Sequence, residues 1–127
     1  MNRLRSDALK CMSGLEHEAG RLSARFTFPD EFIGFQGHFP GAKVLPGVCQ
    51  IECAAGMIST WSGRPVRIIK VINAKFLAPV LPSEEVLCEC GPLMESGEFD
   101  IKAQWSRAGA RVSEIKLRVS LDGGQPR

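Results

Sequence analysis

A chain of 127 residues fits one domain with a real core and leaves little room for another, so a single domain over residues 1–127 is expected. Hydrophobic residues make up 44% of it, and 16 basic against 14 acidic side chains leave a formal net charge of +2. That balance argues against a nucleic-acid binder, which would gather a strong basic excess on one face.

The first ten residues carry charge with no apolar run behind them, unlike a signal peptide. Leu9 to Leu15 reads as a first strand, His17 to Gly20 as a turn, and Arg21 to Phe28 as a second strand. In the second, Leu22, Ala24, Phe26 and Phe28 alternate with polar residues, the period-two pattern of a half-buried strand. Pro29 closes it, and a loop rich in Gly, Phe and Pro runs from Asp30 to Pro46.

Gly47 to Trp61 reads as a helix, entered after Pro46 and closed by Ser62-Gly63. Apolar residues cover most of its circumference, so it is expected to be buried. The longest apolar stretch, Val44 to Ile58, is too short and too polar to span a membrane. Four strand-like runs follow, Val66 to Leu77, Glu85 to Cys90, Phe99 to Trp105 and Arg111 to Leu121, with a bulge or register shift expected at Ser113-Glu114. Residues 122–127 read as a disordered tail. The layout predicts an α+β domain, an antiparallel β-sheet wrapped around one long central helix. The five cysteines have no zinc-ligand spacing and read as reduced thiols, mostly buried, which fits a cytoplasmic protein.

The chemistry-bearing stretch runs from Gly34 to Glu52. His38 lies between Gly37 and Phe39-Pro40-Gly41, where glycine permits unusual backbone angles and proline stiffens the loop. Phe35 and Phe39 are expected to give the imidazole an apolar pocket. Glu52 sits in the most apolar part of the helix, where a carboxylate is costly unless it is paired, neutral or facing a cavity. Desolvation there would favour a protonated acid, able to act in proton transfer. Gly47 starts the helix with an N–H that has no intrahelical partner, so it can donate to a carbonyl gathering negative charge. Each feature alone has a structural explanation. Together, within fifteen residues, they point to a site.

Gly37-His38-Phe39-Pro40-Gly41, then Leu45-Pro46-Gly47-Val48, then Glu52 resembles the 3-hydroxyacyl-[acyl-carrier-protein] dehydratase family. Ile72 to Phe76 with Pro79 and Pro82 resembles that family's next strand and turn. The resemblance implies a hotdog fold and elimination of water from a (3R)-3-hydroxyacyl thioester, giving a trans-2-enoyl thioester. It implies His38 of one subunit acting at C2, Glu52 of the other at the departing C3 hydroxyl, and the Gly47 amide on the thioester carbonyl. Phe35, Phe39 and Val48 would line the substrate pocket. No metal or organic cofactor is implied. The implied assembly is a homodimer or a trimer of dimers. The implied partner is an acyl carrier protein, met by a basic surface of Arg64, Arg67, Lys70 and Lys75. Gly56 stands where the family commonly has glutamine, and Ser83 where it commonly has glycine, which suggests a divergent branch. A hotdog thioesterase, an enoyl-CoA hydratase and a non-catalytic acyl-binding module are the alternatives.

Overall fold

The computed structural model describes residues 2–36 and 43–122. The chain begins with a helix, α1 (Arg3–Leu9), where the sequence suggests only the approach to a strand. Asn2 caps it, its side-chain oxygen accepting from the Arg5 N–H at 2.7 Å. Arg3 and Asp7 pair at i,i+4, while Leu4 and Ala8 share the face turned to the core. The first strand, β1 (Met12–Glu18), therefore starts three residues later than its pattern suggests.

β1 pairs with β2 (Arg21–Thr27) through a bulge that includes Gly14, at φ 65°. A single turn of 3-10 helix at Ile33–Phe35 leads towards the central helix, α2 (Gly47–Ser62). Pro46 is its N-cap, and Gly63 closes it at φ 71° with its N–H on the Ser59 carbonyl. The remaining strands are β3 (Val66–Phe76), β4 (Glu85–Gly91), β5 (Gly97–Arg107) and β6 (Ala110–Leu121).

All six strands form one antiparallel sheet in the order β1-β2-β4-β5-β6-β3. Its inner face supplies Phe26, Val86, Cys88, Trp105, Leu117 and Val119 to a core shared with Cys53, Ala54, Met57 and Ile58 of α2. The helix is buried on more than one side, as its composition demands. The expected irregularity in β6 falls at Val112, the extra residue between the pairs Trp105↔Ser113 and Ser106↔Arg111. Val112 and Ser113 are consequently both buried, which regular alternation would forbid.

β3 is an edge strand with two bulges of its own, at Ile69 and Ile72. It leaves Ile69, Val71 and Phe76 well exposed. Among the described residues, no helix is long and apolar enough to cross a membrane. Residues 123–127, most of the expected tail, lie outside the described residues.

Candidate active site

His38 and Phe39, the expected imidazole and one of its pocket walls, lie outside the described residues. The other histidine, His17, sits on β1 with its ring 5.1 Å from Trp61, near the far end of α2 from Gly47.

Gly47 begins α2 and forms one wall of a cavity of about 360 Å³. The other walls are Val44, Leu45 and Pro46 before the helix, Gln50 one turn into it, and Phe76 to Pro79 at the end of β3. The ring of Phe76 lies directly over the helix start. A Cβ on residue 47 would meet Phe76 Cζ at 2.5 Å, so glycine is what lets the aromatic ring approach the free amides of the first turn.

Glu52 faces elsewhere. At about 100° per residue, it is turned about 140° around the helix from Gly47. Its carboxylate is 14% exposed and pairs with Arg5 Nε at 2.7 Å, and Asn2 Nδ2 donates to the same oxygen at 3.3 Å. Arg5 is itself buried and spends a second donor on the Val66 carbonyl at 2.7 Å. Of the three ways to keep a carboxylate in an apolar helix, the chain uses pairing. The partner comes from α1, the element that the sequence pattern does not reveal.

Two expected pocket residues do not line this cavity. Phe35 is 4% exposed and stands edge-on to Phe32, which in turn packs on Phe28, so it belongs to the core. The 3-10 turn carries its ring inward, away from the cavity at Gly47. Val48 is 54% exposed and points away from that cavity, because only residues spaced near Gly47 and Gln50 on α2 share its face.

The basic residues divide as well. Arg67, Lys70 and Lys75 lie on the outer face of β3, cross-strand from Ser120, Arg118 and Glu114. Lys75 adjoins Phe76, whereas Arg64 follows α2 at its other end and donates to the Glu95 carbonyl at 2.7 Å. Thiol chemistry is disfavoured around the helix. Burial, with a smaller contribution from Glu52, pushes the Cys49 thiol up to about 11. Burial also raises Cys53 well above its ordinary range.

Gln50, Phe76 and Arg5 were not singled out by sequence reasoning. Gln50 carried a signal all the same. It is one of two polar residues in the run Val48-Cys-Gln-Ile-Glu52, as anomalous as Glu52. The departure at Gly56 also has a physical counterpart, since a Cβ there would meet Leu9 Cδ2 at 2.8 Å. The side chain lost from α2 makes room for the end of α1.

The sequence matches the ApeI-like family, described as ApeI dehydratase, over residues 15–113. It is 32% identical over 106 residues to the 3-hydroxyacyl-[acyl-carrier-protein] dehydratase FabZ of Erythrobacter litoralis, covering 76% of this chain and 60% of that one. It is 31% identical over 96 residues to FabZ of Syntrophobacter fumaroxidans, covering 68% and 65%. The chain thus spans less than two thirds of the length of these two relatives. Its structure is similar to a chain of the dehydratase heterocomplex ApeI:P from Xenorhabdus doucetiae. The TM-score is 0.73 at 19% identity, over 86% of this chain and 96% of that one. This likeness shows the fold, which is the hotdog fold.

Proposed function

Because the chain belongs to the ApeI-like dehydratase family, we propose that it eliminates water from a (3R)-3-hydroxyacyl thioester to give the trans-2-enoyl thioester. The observation that carries this reading is the cavity at the start of α2, apolar on most sides and supplied with the free amide of Gly47. An acyl chain fits such walls, and an N–H at a helix start stabilises the thioester carbonyl as charge develops on it. With that carbonyl polarised, a C2 proton becomes acidic enough for an imidazole to remove. His38 has that role and passes the proton on to the C3 hydroxyl as it leaves as water, with Glu52 assisting that departure. The reaction balances without an external oxidant or reductant: a C–H and a C–O bond break, a C=C bond forms, and water leaves.

The orientation of Glu52 supports a site made by two copies. Gly47 and Glu52 look to different sides of one helix, so one chain does not aim both at one substrate. The exposed apolar residues of β3, on an edge with unpaired backbone groups, suit antiparallel addition of a second copy. The reading is a homodimer in which each site takes His38 and Gly47 from one protomer and Glu52 from its partner, or a trimer of such dimers. The acyl group arrives on an acyl carrier protein, whose acidic surface the outer basic face of β3 complements through Arg67, Lys70 and Lys75, with Arg64 beyond. The free cysteines among the described residues fit a reducing, cytoplasmic setting.

The test is turnover of a 3-hydroxyacyl group on carrier protein and on coenzyme A, followed by enoyl absorbance and by thiol release in parallel. Enoyl product without free thiol is expected. His38→Ala should lower the rate by about 10²–10⁴-fold with an unchanged melting temperature. Thiol release without enoyl product would make the protein a thioesterase. No turnover on either carrier would leave an acyl-binding module.

A further inference from the structure

Gln50 is 2% exposed, the one polar side chain among the buried residues of α2. A primary amide buried there needs partners for both ends. One end has it: the Ser113 hydroxyl, fully buried at the β6 bulge, donates to Gln50 Oε1 at 2.5 Å. That bond pins the amide and turns Nε2 the other way. Nε2 has no hydrogen-bond partner among the described residues, yet it is not one of the sealed, unsatisfied polar atoms. It opens instead on the cavity that Gln50 lines with Gly47 and Phe76.

An oriented donor left without an acceptor at the wall of an apolar cavity is suited to an oxygen on the ligand. Gly47 and Gln50 stand three residues apart, about 4.5 Å along the helix axis and about 60° around it. The offset is of the order that separates oxygens on C1 and C3 of an acyl chain. We infer that Gln50 reads the substrate: its Nε2 donates to the C3 hydroxyl oxygen while Gly47 holds the thioester carbonyl. The cavity thereby selects a C3-oxygenated acyl thioester over its saturated counterpart. A saturated chain leaves the amide buried and unpaired, and the penalty for that is what discriminates. Ser113 is a positioning residue, because without its hydroxyl the amide is free to turn its oxygen to the cavity. This assignment rests on the dehydratase reading for the placement of the thioester.

The test compares two ligands, a 3-hydroxyacyl pantetheine and the matched acyl pantetheine without the hydroxyl. Calorimetric affinities are measured in a His38→Ala background, so that neither ligand is consumed, with and without Gln50→Leu. The intact amide should favour the hydroxylated ligand by roughly 10- to 100-fold. Gln50→Leu should remove that preference while binding of the saturated ligand is kept or strengthened. The double variant Gln50→Leu/Ser113→Ala removes both halves of the buried pair and should give the same ratio, which guards against misfolding caused by an orphaned hydroxyl. Equal weakening of both ligands, or an unchanged ratio, overturns the assignment. Turnover of the His38-containing protein is scored separately. If it fails while the preference is present and is lost with Gln50, the dehydratase reading falls and the oxygen-reading role stands.

Discussion

Ser83 occupies a left-handed backbone, φ 67°, at the position where the resembling family commonly has glycine. A side chain there is strained, and its N–H is nevertheless fixed on the Phe28 carbonyl at 2.8 Å, so the turn does not relax. Ser83→Gly should stabilise the protein by about 0.5–1 kcal/mol in denaturant titration, the relief exceeding the entropy that glycine adds to the unfolded chain. A loss of stability would show that the turn prefers the serine. The pair Arg5–Glu52 sits at the other extreme, with side chains 9% and 14% exposed. Arg5→Ala strands a buried carboxylate and should cost about 3 kcal/mol, whereas Arg5→Ala combined with Glu52→Gln should cost distinctly less. The anomaly of Glu52 was legible in the sequence because polarity is visible against an apolar run. Its partner was not, since an arginine among the charged residues of an amino terminus looks like any solvated side chain until α1 brings it onto α2.

Element boundaries were legible wherever alternation and turn residues agreed. α2 and the strands β3 to β6 lie within two residues of their patterns at either end. α1 was hidden because a short helix of about two turns gives no periodicity to count. Its evidence is the Asn2 cap, a single side chain. The burial of Phe35 was hidden for a related reason: a loop composition rich in glycine does not announce a 3-10 turn that drives an aromatic ring inward. That turn depends on Gly34. A Cβ there would come within 2.5 Å of Phe32 Cε2 and 2.6 Å of Cys49 Sγ, and both neighbours are buried. Gly34→Ala should therefore destabilise by about 1–3 kcal/mol in chemical denaturation. Little change would mean that the aromatic cluster can shift as a unit.

For the whole molecule, the two-copy site proposed above depends on the outer edge of β3. Ile69 and Val71 are exposed there, at 39% and 46%, and lysine at both should oppose pairing of copies by charge and desolvation. The double variant Ile69→Lys/Val71→Lys is expected to sediment at half the mass of the parent and to lose turnover, with the helix and sheet signal of circular dichroism retained. Full turnover by a species of monomeric mass would show that one chain suffices. The sequence made Gly47 and Glu52 visible as candidates, but not that Glu52 would be turned towards α1 and held there by Arg5, because spacing becomes direction only once the helix is docked.

Phe76 ends that same edge strand and lays its ring over Gly47, so in the proposed dimer one segment serves both the wall of the cavity and the border offered to another copy. Occupancy and association are then linked functions in the thermodynamic sense. Whatever steadies Phe76 against a ligand steadies the strand for pairing, and mass action on either equilibrium is felt in the other.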